Sequence, residues 1–309
     1  MIRIQGLHKR FGPTVAVRGI DLEVGKGECF GLIGPNGAGK TTTLKTLATL
    51  VKPDSGSVLV NEIPVEREPR KVRRIVGYMP DIFQSYGDLK VVHYLDYYAG
   101  LVGLRRKERV RQVEEVLELT DLQPKREALV GGLSRGVKQR LCLAKTLLHD
   151  PLVLLLDEPA SGLDPRARIE IRVLLQVLKR DMGKTIVISS HILEDLEEIC
   201  ERVAVYEAGQ VVATGAVADL KEKARGAHRY VIEPRGDVAA AAERLEACAQ
   251  VESVIREQNR LTLVPTPEVV DDAPILRALL EADVRVRTFR EESPDLHDVF
   301  LELTRGEVS

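Results

Sequence analysis

Apolar and polar positions follow two alternating patterns along the first two thirds of the chain. Short apolar runs such as "ECFGLIG", "LVLLLD" and "TIVISS" have the length and bounded form of buried strands. Between them lie longer runs with one apolar face, as in "RIEIRVLLQVLK", where Ile171, Leu174, Leu175 and Leu178 recur at helical spacing. This alternation predicts a mainly parallel sheet flanked by helices.

A different pattern occupies residues 91–148, where no strong strand run appears. Val110, Val113, Val116 and Leu117 follow the basic stretch "RRKERVR" at helical spacing. We therefore expect a mostly helical insertion here, with these four side chains on its buried face.

The last third of the chain changes character again after the charged segment 221–229, which is typical of a linker. Beyond it, the pattern predicts strand, helix, strand, strand, helix and strand, the order of a ferredoxin-like split βαβ unit, and then a last helix in "DLHDVFLELT". We predict a large α/β domain over residues 1–222, with its helical part at about 84–148, and a small α+β domain over residues 223–309.

Composition limits the classes of partner. The chain has 309 residues with 45 basic and 47 acidic side chains, so its net charge of −2 favours no nucleic acid. Its cysteines, Cys29, Cys142, Cys200 and Cys248, are far apart and form no CxxC pair, which predicts reduced thiols and a cytoplasmic location. No apolar run reaches the roughly 18 residues needed to span a bilayer, so we expect no direct membrane insertion.

The stretch "GPNGAGKTT" fits the pattern G-x-x-x-x-G-K-[ST] and lies between a predicted strand and a predicted helix. Glycines let backbone N–H groups converge on phosphate oxygens at a helix N-terminus. In this reading Lys40 neutralises the β and γ phosphates and Thr41 ligates Mg²⁺. The alternative is a glycine-rich turn without a ligand. The candidate nucleotide contacts are Gly34, Pro35, Asn36, Gly37, Ala38, Gly39, Lys40, Thr41 and Thr42.

Two acidic residues end the run "LVLLLDEP". Asp157 closes a predicted buried strand, where its carboxylate can reach a magnesium ion held at the phosphate loop. Glu158 is the candidate general base that polarises the water attacking the γ phosphate. The alternative for such a pair is the N-terminal cap of a following helix.

With these motifs in view, residues 1 to about 220 resemble the ATP-binding cassette (ABC) family. The resemblance implies a P-loop NTPase fold, with a mainly parallel sheet core, an antiparallel β part and a helical subdomain. Phe11 in "KRFGPTVAV" matches the aromatic ring that the family stacks on adenine, the alternative being a core phenylalanine. His191 matches the histidine that senses the γ phosphate, and Asp164 in "SGLD" matches the loop that crosses to the partner subunit.

The family signature LSGGQ has a variant counterpart in "LSRGVKQR", residues 133–140. Ser134 and Gly136 match it and can still donate to the γ phosphate of an ATP held by another subunit. Arg135 and Val137 depart from it, and Arg135 adds a cation close to that phosphate.

A second departure follows "VGYMP". The family usually has glutamine where this chain has Asp81, and Gln84 lies three residues further on. A carboxylate ligates magnesium at least as well as an amide oxygen, so we expect Asp81, rather than Gln84, to line the site.

The resemblance extends to the ATPase subunits of type-2 ABC exporters, through the variant signature, "LLLDEPASGLDP" and the ending "DVFLELT". It implies an ATPase that uses ATP and Mg²⁺, pairs as a homodimer or with a similar cassette chain, and drives a membrane-spanning permease docked near residues 81–110. Its location would be the inner face of the cell membrane. Two alternatives are a non-transport ABC ATPase acting on ribosomes or DNA, and a nucleotide-gated regulatory module.

Overall fold

The computed structural model describes residues 1–82, 86–223, 229–266, 273–281 and 283–292. The chain divides into two compact units, the first being Met1–Val217 and the second beginning at Ala218. The strands of the first unit are β1 (Ile2–Phe11), β2 (Thr14–Val24), β3 (Cys29–Ile33), β4 (Ser55–Val60), β5 (Ile63–Pro64), β6 (Val76–Met79), β7 (Val153–Asp157), β8 (Thr185–Ser190), β9 (Arg202–Glu207) and β10 (Gln210–Ala216).

Helices surround these strands. They are α1 (Lys40–Leu47), α2 (Pro69–Ile75), α3 (Val91–Leu101), α4 (Arg106–Leu119), α5 (Arg135–Leu147), α6 (Pro165–Arg180) and α7 (Leu193–Ile199), with 3₁₀ turns at Gln123–Lys125 and Val130–Gly132. Helix α8 (Val217–Lys223) follows β10 in the chain and begins the second unit. None of the helices in the described part of the chain is long and apolar enough to cross a membrane.

The main sheet has six strands in the order β10-β9-β3-β8-β7-β6. All neighbours from β9 to β6 are parallel, and β10 pairs antiparallel at the edge. Every residue of β3, β7 and β8 is buried, which suits continuous apolar runs covered on both faces. Because these three strands are parallel neighbours, their carboxyl ends lie side by side, and the predicted parallel core is confirmed.

A second sheet, β2-β1-β4-β5, is antiparallel. Apolar side chains of β1, β2 and β4 share one core with Leu44 and Leu47 of α1 and with Leu32 of β3. Helix α1 is therefore fixed by apolar packing from both sheets, which holds the loop before it at the carboxyl end of β3.

Helices α3, α4 and α5 pack against one another and form the helical insertion. Val113, Val116 and Leu117 are buried, as their spacing predicts, but Val110 is exposed. The prediction for Val110 is wrong because the apolar face of α4 becomes buried only one turn later, from Val113 onward.

The second unit contains β11 (Arg229–Pro234), α9 (Val238–Glu246), β12 (Val251–Glu257), β13 (Arg260–Pro265), α10 (Ala273–Glu281) and β14 (Val286–Glu292). Its sheet has the order β12-β13-β11-β14, with antiparallel neighbours throughout. Strand β13 lies between β11 and β12, as a split βαβ unit requires, so the predicted ferredoxin-like topology is confirmed. The last predicted helix and most of the predicted linker lie outside the described residues.

All four cysteines are free thiols. Cys29, Cys142 and Cys200 are buried and Cys248 is half-buried, which agrees with the prediction of reduced, packed side chains.

Candidate active site

The glycine-rich loop of residues 34–39 joins the end of β3 to the start of α1. Gly34 has φ +154°, and a Cβ there would collide with the carbonyl oxygen of Tyr206. Gly39 has φ +103°, and a Cβ there would lie 2.6 Å from the carbonyl oxygen of Ala16. Both positions therefore require glycine, and the loop curls tightly over the N-terminus of α1, where N–H groups favour anions.

Lys40 fills the inside of this loop. Its Nζ donates to the carbonyl oxygens of Gly34 at 2.5 Å and of Pro35 at 3.0 Å. Burial lowers the pKa of Lys40, while the carboxylates of Glu158 and Asp157 oppose that shift. A phosphate group here would give the desolvated ammonium a negative partner in place of neutral carbonyls, which favours binding.

Asp157 connects three elements at the end of β7. Its Oδ1 accepts from the hydroxyl of Thr41 at 3.0 Å and from that of Ser189 at 2.7 Å. The hydroxyl of Tyr78 donates to its Oδ2 at 3.4 Å. Burial, followed by the charge of Asp157, raises the pKa of Tyr78, so the phenol stays a neutral donor. The carboxylate is thus held in place by α1, by β8 and by β6.

Oxygen donors suited to magnesium converge on one cleft. Thr41, Asp81 and Asp157 line a cavity of about 440 Å³ between α1 and the end of β6. A hydroxyl and two carboxylates are hard ligands of the kind that Mg²⁺ binds, with phosphate and water completing its shell. These residues therefore fit the ion, and Gln84 lies outside the described residues.

Glu158 follows Asp157 with a left-handed backbone, φ +50°. Its N–H donates to the carbonyl and the hydroxyl of Ser189, both at 3.1 Å. Nδ1 of His191 lies 2.7 Å from Oε2 of the carboxylate. Its Oε1 is buried and accepts no hydrogen bond from the described residues, so it is the oxygen that can accept from an attacking water.

The helix-cap alternative for the acidic pair is wrong. Helix α6 begins at Pro165, and its cap is Asp164, whose Oδ1 accepts from the N–H of Ala167 at 2.9 Å. Within this chain the side chain of Asp164 caps α6, and its predicted place in the loop that crosses to the partner subunit stays a prediction.

The ring of Phe11 is half exposed at the end of β1, with Nζ of Lys9 5.3 Å from its centroid. The core alternative for Phe11 is therefore wrong. An exposed aromatic face beside a cation is suited to stacking a base.

The variant signature lies at the start of α5. Ser134 caps this helix, its Oγ accepting from the N–H of Val137 at 3.4 Å. A Cβ on Gly136 would lie 3.1 Å from the Cβ of Ala167, so the first turns of α5 and α6 pack closely. The signature residues are thus neighbours of α6, whereas Lys40, Asp157, Glu158 and His191 meet at the ends of β3, β7 and β8.

Sequence reasoning missed Ser189 and Tyr78 as partners of Asp157. The available signal was the pair of serines that ends "TIVISS" on a strand predicted to be parallel. The strand register places Ser189 opposite Asp157, which brings the serine hydroxyl to the carboxylate.

A phosphate loop at the carboxyl edge of a parallel sheet, with an aspartate and a glutamate ending a neighbouring strand, defines a P-loop nucleotide hydrolase. Residues 17–161 match the family model described as ABC transporter, and residues 215–304 match the model described as ATP-binding protein DrrA1-3-like, C-terminal domain. The chain belongs to the ABC transporter ATP-binding proteins.

Relatives match the whole length of the chain. "Nod factor export ATP-binding protein I" of Burkholderia lata is 39% identical over 309 residues, 99% of this chain and 98% of that protein. An uncharacterized ABC transporter ATP-binding protein of Bacillus subtilis, YxlF, is 31% identical over 310 residues, 99% of this chain and 100% of that protein.

The fold also matches solved cassettes. A dimeric post-hydrolysis ATP-binding cassette bound to ADP and Pi superposes with a TM-score of 0.64 at 25% identity, covering 70% of this chain and 98% of that chain. The chain is therefore an ATP-binding and ATP-hydrolysing subunit of an ABC transporter, and the prediction of a transporter ATPase is confirmed.

Proposed function

We propose that this chain is the ATPase subunit of a type-2 ABC exporter and drives a separate permease at the inner face of the cell membrane. The observation that carries the catalytic part is the convergence of Lys40, Asp157, Glu158 and His191 at three adjacent strand ends. The export direction is supported by relatives named for Nod factor export.

Hydrolysis is assigned to the residues around Glu158. The loop N–H groups and Lys40 hold the β and γ phosphates, while His191 orients Oε2 and leaves Oε1 to accept a proton from water. Thr41, Asp157 and Asp81 are the chain's ligands for Mg²⁺, which supplies charge neutralisation on the phosphates when bound. Glu158 and the phosphate loop stand at the same edge of the sheet, which places the base on the side where the γ phosphate would be held.

Two copies are needed for a complete site. Each chain has one phosphate loop and one signature, and in this chain the signature packs on α6. We assign Ser134 and Gly136 to the ATP of a partner cassette in a head-to-tail dimer. Phe11 stacks on the adenine of the chain's own nucleotide. Asp164 lies close to the loop that crosses to the partner subunit. Closure on ATP and opening after hydrolysis would then do the mechanical work.

Residues 1–222 form the cassette in this proposal, and residues 223–309 form an accessory domain that stabilises the dimer or regulates it. The order of the strands described in the second unit supports an independent fold for that domain.

We propose that the permease docks in a groove between the sheet core and the helical insertion. This groove has a volume of about 800 Å³, and Leu50, Leu101 and Val102, which line it, are exposed apolar side chains. Arg73 and Arg74 line the same groove. An amphipathic segment of a permease would bury the apolar side chains, which is the usual function of such patches.

Catalysis is tested with Lys40→Ala in the purified full chain. Loss of the buried ammonium should remove most of the thermal stabilisation that MgATP gives the wild type, together with phosphate release. Lys52→Ala is a matched control, because Lys52 is exposed beyond the end of α1 and does not line the magnesium cleft. Full stabilisation of Lys40→Ala by MgATP would contradict the assignment of the phosphate loop.

The groove is tested separately in native cells with Leu101→Glu, a change at a side chain that is 63% exposed. The fraction of the chain recovered in the membrane pellet should fall sharply because a carboxylate would be buried against the permease. Val173→Glu on α6, 54% exposed, is the control. Equal recovery of both variants would exclude this groove as the docking site.

A further inference from the structure

Arg135, the first residue of α5, lies over the turn that leads into α6. Its guanidinium group occupies the space where a Cβ on Gly162 would stand, so that a side chain at residue 162 would displace it. Gly162 also has φ +64°, a conformation that glycine adopts without strain. The guanidinium of Arg135 therefore packs directly against the bare backbone of Gly162.

The turn under Arg135 belongs to the segment that follows Glu158. The N–H of Ser161 donates to the carbonyl of Glu158 at 3.1 Å, and the N–H of Leu163 donates to that of Ala160 at 3.3 Å. The turn is thus bonded to the backbone of Glu158 at one end and continues into α6 at the other. Movement of this turn would be transmitted to the Glu158 carboxylate.

The contact is one of packing rather than of ion pairing. No carboxylate in the described ranges forms a salt bridge with Arg135, which is exposed at the helix start. By contrast, Arg140 on the same helix pairs with Asp121, and Arg166 on α6 pairs with Glu170. The contact that the structure gives the Arg135 side chain is therefore its packing on the backbone of Gly162, and its charge is available to the surface of the signature.

We propose that Arg135 is a positioning residue that links the two ATP sites of the dimer through each chain. This inference rests on the proposed head-to-tail dimer, in which the signature of one chain contacts the partner's ATP and Glu158 of the same chain acts on its own. When the partner's ATP draws Ser134 and the start of α5 into place, Arg135 carries the 160–164 turn with it. Glu158 then reaches its working position only when the other site is filled.

The test compares the full-length wild type with Arg135→Ala in steady-state phosphate release over a range of MgATP concentrations. We expect the Hill coefficient to fall toward one and kcat to fall by roughly tenfold, a loss that corresponds to about 1.4 kcal/mol. Thermal stabilisation by MgATP at low protein concentration should stay as in the wild type, because the phosphate loop is untouched. A merely structural role would instead lower the melting temperature and the nucleotide affinity together.

Arg135→Lys is the conservative control. Lysine keeps the charge but lacks the planar group that stacks on Gly162, so it should behave like Arg135→Ala. Full rescue by lysine would show that charge alone matters and would overturn the positioning role.

Gly162→Ala supplies a double-mutant cycle. Alone, it should reduce kcat because its Cβ collides with the guanidinium and its φ is strained; combined with Arg135→Ala, part of that loss should be recovered. Purely additive losses would contradict the contact.

Dimer formation by the Glu158→Gln variant in ATP separates failure of this inference from failure of the proposed function. If that variant forms no dimer with ATP, the proposed function and this inference both fail. If it dimerises while Arg135→Ala keeps the wild-type Hill coefficient and kcat, only this inference fails.

Discussion

At the scale of single residues, Asp157 is the point through which the site is assembled. One of its oxygens accepts hydrogen bonds from two hydroxyl groups, that of Thr41 on α1 and that of Ser189 on β8. The helix that follows the phosphate loop and the strand that leads to His191 are therefore bonded to the same carboxylate. Such a buried, fully partnered carboxylate orients its neighbours with little freedom.

Asp81 gives the residue-scale prediction. Asp81→Ala should reduce phosphate release and raise the Mg²⁺ concentration needed for half-maximal activity, because the magnesium cleft loses a carboxylate ligand. The measurement is a Mg²⁺ titration of ATPase activity, with Gln84→Ala as the matched variant. Wild-type activity in Asp81→Ala together with loss in Gln84→Ala would reverse the assignment.

The residues that sequence spacing identified are those whose chemistry is local. Lys40, Thr41 and Glu158 stand in short motifs whose backbone context the sequence also predicts. The partners Ser189 and Tyr78 depend on the register of strands far apart in the chain, which no local pattern contains. The exposure of Phe11 likewise depends on how β1 ends in three dimensions.

At the scale of elements, helix α6 follows its pattern closely. The four residues predicted on its apolar face are all buried, and Pro165 follows directly after the Asp164 cap. Elements without a strong pattern escaped prediction: the two-residue strand β5 and the seven-residue helix α2 are too short to establish a period, and α2 has one buried residue.

Asp164 gives the element-scale prediction. Asp164→Ala should destabilise the cassette by about 1 kcal/mol, or about 2–4 °C in melting temperature, because the Ala167 N–H loses its acceptor. Asp164→Asn should keep the cap and the melting temperature. Both variants are compared by thermal unfolding and ATPase assays. Unchanged stability in Asp164→Ala would contradict the capping role, and loss of activity in Asp164→Asn would indicate that the charge serves the partner's site.

At the scale of the whole molecule, the cassette and the accessory domain are predictable from strand and helix order alone. The order of the second unit's sheet agrees with the predicted split βαβ unit because sequential hairpins and crossovers leave few alternatives. How two chains join is a property of surfaces, which local patterns describe poorly. The prediction of a dimer therefore rests on the presence of one phosphate loop and one signature in each chain.

Removing residues 223–309 gives the prediction for the accessory domain. The shortened chain should bind MgATP with the affinity of the full chain, because the phosphate loop lies in the other unit. Its ATP-dependent dimer should form only at higher protein concentration, as measured by light scattering. Unchanged dimerisation, ATPase activity and permease binding would exclude a role for this domain in assembly or regulation.

The central claim is that two chains close on ATP and that Glu158 then triggers hydrolysis. Light scattering of purified Glu158→Gln in MgATP measures it most directly, since the glutamine keeps the shape of the side chain but cannot accept the proton. We predict a stable ATP-bound dimer of twice the monomer mass, with phosphate release reduced by at least about a hundredfold. A Glu158→Gln protein that stays monomeric in MgATP, or that hydrolyses ATP at the wild-type rate, would contradict the account.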